Sequence, residues 1–152
     1  MLKRIISGGQ SGVDRAALDA AIRIGIPHGG WIPRGRITED GPLPQRYRLV
    51  EMPTDSYAER TEKNVVDSDG TLIISRGTPT GGTDYTRKMA LKHGKQMLHI
   101  DMALHRNPLD AASLVSSWIE MNKIETLNVA GPRASKDPNI YAEALAILTH
   151  IQ

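Results

Sequence analysis

The chain has 152 residues and contains no cysteine and no phenylalanine, with only two tryptophans and four tyrosines. Without cysteine there is neither a disulfide nor a thiolate metal site. Without phenylalanine a core must be built from aliphatic residues. The shortage of aromatics also removes the stacking platforms that hold single-stranded nucleic acid, so no nucleic-acid partner is expected. No run of five or six like charges occurs. The formal net charge of +2 is too mild to argue for a polyanion or a membrane surface. No apolar stretch approaches the ~20 residues of a membrane span. The apolar part of the opening "MLKRIISGG" is too short for a signal peptide. The expectation is a cytoplasmic protein with one domain over residues 1–152.

What is present is an alternation of strand and helix signals. Lys3 to Ser7 reads as a short buried strand. Val13 to Ile24 carries Val13, Ala16, Ala17, Ala20, Ala21 and Ile24 at helical spacing, followed by Gly25 as a stop. Residues 27–56 are rich in proline and glycine and hold two short strands, near Gly30–Ile32 and Arg48–Met52. Tyr57 to Asp67 reads as a helix, and "DGTLIIS" (69–75) as a buried parallel strand. A helix over Asp84–His93, a strand over Gln96–Ile100, a helix over Leu109–Asn122 and a strand over Thr126–Ala130 follow. In the last helix Asp137 is the expected cap and Pro138 the first residue. Strands alternating with helices imply an α/β fold: a doubly wound, mostly parallel sheet with helices on both faces.

In such a sheet, ligands bind outside the carboxyl ends of the strands. Three strand ends lead into glycine-rich polar loops: Ser7–Gly12, Arg76–Thr83 and Gly131–Ser135. In the first, Gly8, Gly9, Gln10, Ser11 and Gly12 offer backbone amides to an anion at a helix N-terminus. Asp14 there would meet a hydroxyl or an ammonium, and Arg15 an anion. The same residues also fit a capping box in which Ser11 and Asp14 satisfy the orphan amides. In the second loop Gly81 and Gly82 precede Thr83, the expected N-cap, and Thr86 adds a hydroxyl. Arg60, Asn64 and Asp67 share one helix face, either solvated or turned to the strand ends with Arg60 as an anion clamp. Arg133 is a further candidate for an anion. Trp31 either walls a pocket or covers one end of the core. Glu39-Asp40 reads as a solvated turn. No serine sits in a G-x-S-x-G elbow. The histidines show no H-E-x-x-H pairing, and His99 with Asp101 on one strand face reads as structural. No metal site is expected.

The segments "SGGQSGVDRAALDAA", "GGWIPRGRITEDGPLPQRY", "RTEKNVVDSDGTLI", "GGTDYT" and "LNVAGPRAS", in order over nearly the whole chain, resemble the molybdenum carrier family. That family is similar to the Rossmann-like group containing the LONELY GUY phosphoribohydrolases (also called lysine-decarboxylase-like) and the DNA-processing protein DprA. The resemblance implies a Rossmann-like fold with a ligand site at the glycine-rich strand ends, where the candidates from the loops and the helix face are Gly8–Gly12, Asp14, Arg15, Arg60, Asn64, Asp67, Gly81–Thr83, Thr86, Gly131 and Arg133. It implies binding of the molybdenum cofactor (a pterin bearing a phosphate) or of a molybdenum oxyanion, while the loops themselves suit a phosphate-bearing small molecule, pterin-like or nucleotide-like. It also implies a homo-oligomer, dimer or tetramer. Members often carry a cysteine where this chain has Ile32, so molybdenum held through a thiolate is excluded here. The phosphoribohydrolases carry P-G-G-x-G-T-x-x-E with a catalytic glutamate, and that position falls on Thr86. Hydrolysis of a nucleoside monophosphate would then need Asp14 or Asp67 instead. A binding protein is the first reading, with such a hydrolase and a nucleotide-ligand sensor module as alternatives.

Overall fold

A computed structural model describes residues 1–151. Its elements in chain order are β1 (Arg4–Ile6), α1 (Val13–Ile24), β2 (His28–Gly29), β3 (Trp31–Ile32), β4 (Ile37–Thr38), β5 (Gly41–Pro42), β6 (Val50–Glu51), α2 (Tyr57–Val66), β7 (Gly70–Ser75), α3 (Gly81–Lys92), β8 (Gln96–Asp101), α4 (Pro108–Met121), β9 (Thr126–Ala130) and α5 (Ile140–Leu148). Five strands form one sheet in the order β2-β1-β9-β7-β8, and every neighbouring pair runs parallel. Thus the carboxyl ends of β1, β9 and β7 lie side by side at the centre of one sheet edge.

The two faces of this α/β sheet differ in chemistry. On one, Ile5, Leu72, Ile74, Ile100, Leu127 and Val129 pack against α1, α4 and α5 in a continuous aliphatic core. The alanine stripe of α1, at Ala16, Ala17, Ala20 and Ala21, lets that helix approach closely. Alternation along a strand sends the intervening residues to the other face. There Asn128 of β9 donates to the Thr71 hydroxyl of β7 at 3.2 Å. Helices α2 and α3 cover this side. The buried residues of α2 are Arg60, Asn64 and Val65, and those of α3 are Thr83, Thr86 and Ala90. The pair therefore rests largely on polar groups. Amides of α2 and α3 should exchange with deuterium faster than those of α1 and α5, which line the aliphatic core. Equal or stronger protection in α2 and α3 would contradict this division.

A second cluster of Leu18, Ile32, Leu43, Tyr47 and Leu49 organises the irregular 27–56 segment against α1. The Tyr47 hydroxyl donates to Asp19 at 2.6 Å, and Tyr141 donates to the other oxygen of the same carboxylate.

Two helix starts differ from the sequence expectation. Helix α3 begins at Gly81 with Thr80 as N-cap, so Thr83 is a buried helical residue. The sequence favoured a later start because glycine is a poor helix former, but in the first turn its free amide costs little. Helix α5 begins at Ile140, with Asn139 as N-cap. Asp137 does not cap it, because its carboxylate takes the Arg76 guanidinium at 3.2 Å.

Candidate functional site

The three glycine-bearing loops after β1, β7 and β9 meet around a cavity of about 480 Å³. That is within the range of small-molecule sites. The cavity continues inward between the sheet's polar face and helices α2 and α3. Its floor carries Gly8, Asp14, Arg60 and Asn128, and its outer wall Gly81, Gly82, Arg133 and Lys136.

Arg60 is 8% exposed. It donates from Nη1 to the Gly8 carbonyl at 2.5 Å and stands 3.8 Å from the Asp14 carboxylate. Its Nε has no hydrogen-bond partner among the described residues. Burial pulls its pKa down, while Asp14 opposes that shift. A Cβ on residue 8 would stand 1.9 Å from the guanidinium, so glycine is required there for Arg60 to dock. Asp14 responds to the same environment. Burial pushes its carboxyl from 3.8 up to about 6, against the opposing pull of Arg60, the Gln10 amide, Arg15 and the Gly8 amide.

The turn after β1 is closed by its own side chains. The Gln10 amide bonds the Asp14 carboxylate at 3.3 Å. The Gly9 amide bonds the Ser7 hydroxyl, and the Ser11 amide the Gln10 carboxamide oxygen. The side chains of Ser7, Gln10 and Asp14 therefore occupy three of the amides that the sequence offered to an anion. Nor is there a capping box. The N-cap of α1 is Gly12, with no side-chain cap. The Ser11 hydroxyl instead bonds Glu39 and accepts the Ala134 amide at 3.0 Å. Glu39 also takes the Ser135 amide and hydroxyl, strapping segment 27–56 across the β1 and β9 loops. These hydrogen bonds hold its carboxyl below the usual range. It is therefore not a free solvated turn residue.

The start of α3 is built differently. Thr80 provides no side-chain cap. The Lys136 ammonium stands 3.1 Å from where a Cβ on Gly81 would be. A cation is thus parked at the positive end of a helix dipole, an arrangement that repels itself unless an anion joins the two. Among the described residues neither Lys136 nor Arg133 pairs with a carboxylate. The Tyr57 ring lies 5.4 Å from the Arg60 guanidinium and 6.0 Å from that of Arg133.

Of the residues expected from sequence, Gly8, Gln10, Asp14, Arg60, Asn64, Gly81, Gly82, Thr83, Thr86, Gly131 and Arg133 line this cavity. Gly9, Ser11, Gly12, Arg15 and Asp67 do not. A Cβ on Gly9 would face Leu49, Ile32 and Leu43 instead. Ser11, Gly12 and Arg15 border a smaller cavity of about 300 Å³ on the other side of the turn. Asp67 accepts the Trp31 indole N–H at 2.6 Å. Asn64 uses both ends of its amide on the Trp31 backbone, at 2.8 and 3.0 Å, which fixes its orientation at the cavity wall. Trp31 is clamped to α2 rather than covering the core. Lys136 was missed because it follows the third glycine-bearing loop by one residue. Ser75 and Asn128 were missed because they sit inside strands, where only the alternation of faces marks them.

Among the described residues no group of three or more His, Cys, Asp or Glu side chains could hold a metal ion, and no helix is long and apolar enough to cross a membrane. The sequence profile of the family described as "Circularly permutated YpsA SLOG family" matches residues 5–152. A crystal structure from Syntrophus aciditrophicus SB, of a protein named "Putative molybdenum carrier protein", is 52% identical. It covers 99% of this chain and 94% of that one, with a TM-score of 0.96. Among curated proteins none matches.

Proposed function

The chain belongs to the circularly permutated YpsA SLOG family, and from that premise we propose that its cavity binds a phosphate- or oxyanion-bearing small molecule. The observation that carries the reading is the Lys136 ammonium set against the uncapped start of α3. An anion between them would accept from the first amides of α3 and from Lys136, and Thr78 and Thr80 add hydroxyls to the same wall. Arg133 and Tyr57 would flank the rest of the ligand, and Asp14 would take a hydroxyl or ring N–H on the floor.

The name of the similar Syntrophus protein speaks of carrying molybdenum, and a molybdenum cofactor, a pterin bearing a phosphate, is one such ligand. The donor set fits its phosphate, and molybdenum would arrive within the organic group or as an oxyanion. A nucleotide fits the same donors. Calorimetric titration with nucleoside 5′-monophosphates and with molybdate tests the reading. Lys136→Ala should weaken binding roughly tenfold or more, the worth of one charge-assisted hydrogen bond. Unchanged affinity in Lys136→Ala and in Arg133→Ala would exclude the site.

One observation favours a second reading, hydrolysis of the N-glycosidic bond. Asp14 is a buried carboxylate in the cavity, raised to about 6, as a proton-transferring group requires. Asp67, bound to Trp31 outside the cavity, offers no substitute. Release of free base from a nucleoside monophosphate that Asp14→Asn abolishes would support this reading. The exposed Leu109, Leu114 and Met121 on α4 are where copies of the chain would associate, visible as concentration-dependent sedimentation.

A further inference from the structure

Ser75 ends β7 on the cavity wall and has a partner that ligand binding does not use. On the neighbouring strand, His99 brings Nε2 to 2.7 Å from the Ser75 Oγ. Ile73 stands opposite His99 and Ser75 opposite Asp101 in the parallel register. Ser75, His99 and Asp101 therefore leave the sheet on the same face. A hydroxyl and an imidazole at this separation are within reach of proton transfer.

We infer that Ser75 and His99 form a nucleophile–base pair at the cavity wall, able to open the carboxylic ester of an anionic small molecule. The preference for an anionic ester rests on the binding reading above, whereas the pair itself rests on its own geometry. Burial holds His99 below the ordinary histidine range, so its ring is neutral at pH 7 and free to accept a proton. Asp101 opposes that shift and is held in place by the Gly77 and Ala103 amides at 2.8 and 2.9 Å. Its fixed charge would steady the imidazolium formed during the reaction. The Ser75 hydroxyl also reaches the Gly77 carbonyl at 3.1 Å, so its proton turns between that carbonyl and His99. The uncapped start of α3, on the same cavity, supplies a positive field for a developing oxyanion.

The step balances with water alone. The Oγ–carbon bond forms as the hydroxyl proton passes to His99 Nε2 and the carbonyl electron pair moves onto oxygen. Collapse breaks the carbon–oxygen bond to the alcohol, which takes the proton from Nε2. Water, deprotonated by His99, then attacks the acyl-serine, releases the acid and restores Ser75.

The test uses diisopropyl fluorophosphate on the full chain, followed by peptide mapping. In this reaction the Oγ–phosphorus bond forms and fluoride leaves, with the proton taken by His99. The probe carries no charge, so its failure counts against the pair and not against the anion cavity. The expected result is one adduct, on Ser75, absent from Ser75→Ala and formed at least roughly tenfold more slowly in His99→Gln. Thermal unfolding establishes that each variant is folded. Should Ser75→Ala fail to fold, the mapped site in the wild type and the rate in His99→Gln decide. No adduct on Ser75, labelling only elsewhere, or an unchanged rate in folded His99→Gln overturns the inference.

Discussion

Replacing Asp14 by asparagine should remove a pH dependence of stability worth about 3 kcal/mol. The carboxyl rises from 3.8 to about 6 on folding, chiefly through burial. Between those values the folded chain keeps a proton that the unfolded chain has released. Stability from this group is therefore fully present below about pH 4 and is lost as pH rises through about 6. A gap of roughly two pH units corresponds to about 3 kcal/mol, an order-of-magnitude figure. Asparagine has no such proton, yet its side-chain oxygen can still accept from the Gln10 amide. Denaturant unfolding of both proteins from pH 4 to 7 checks this. The wild type should lose about 3 kcal/mol relative to Asp14→Asn over that range, whereas parallel curves would show that Asp14 titrates normally. The fold thus holds an ionised carboxylate against Arg60 at neutral pH at a cost in stability, the kind of cost expected of a functional site.

Gly12→Ala should strongly destabilise the fold through a single methyl added where two loops meet. A Cβ there would lie 2.3 Å from the Pro132 carbonyl oxygen and 2.9 Å from both the Arg133 carbonyl carbon and the Ala134 amide, and φ is +77°. All three neighbours are backbone atoms that no rotamer change can move. The turn after β1 and the loop after β9 are held together at this point by the Val13 amide on Pro132 and the Ala134 amide on Ser11. We expect a loss of about 3 kcal/mol or more in denaturant unfolding. By contrast, Gly82→Ala has nothing within 4 Å of the added atom and should cost little stability. Equal unfolding midpoints for Gly12→Ala and the wild type would contradict the described contact between the loops.

The scaffold was legible where apolar pattern decided it. The run Gly70–Ser75 and the alanine stripe of α1 each admit one partner, the core. The meeting of three glycine-bearing loops followed from parallel topology alone. What each loop does was less legible, because it depends on contacts made far along the chain. Asp14 is as good a sequence candidate for a ligand as for a cap. Only the fold shows the Gln10 amide turned onto it and Arg60, 46 residues away, docked beside it. Asn64 and Asp67 lie on the Arg60 side of α2, as their spacing says, but Trp31 claims both. The Ser75–His99 contact joins two strands whose sequences carry no motif. Gly81-Gly82 read as a loop because glycine hides a helix start.

The proposed anion position is where Lys136 meets the start of α3. Amide chemical-shift mapping during titration with a nucleoside 5′-monophosphate tests it most directly. Shifts should centre on Gly81, Gly82, Arg133 and Lys136, with residues across the turn, such as Arg15 and Asp19, unmoved. Shifts centred on Arg15 and Asp19, or no shifts with any of the monophosphates or with molybdate, would contradict it.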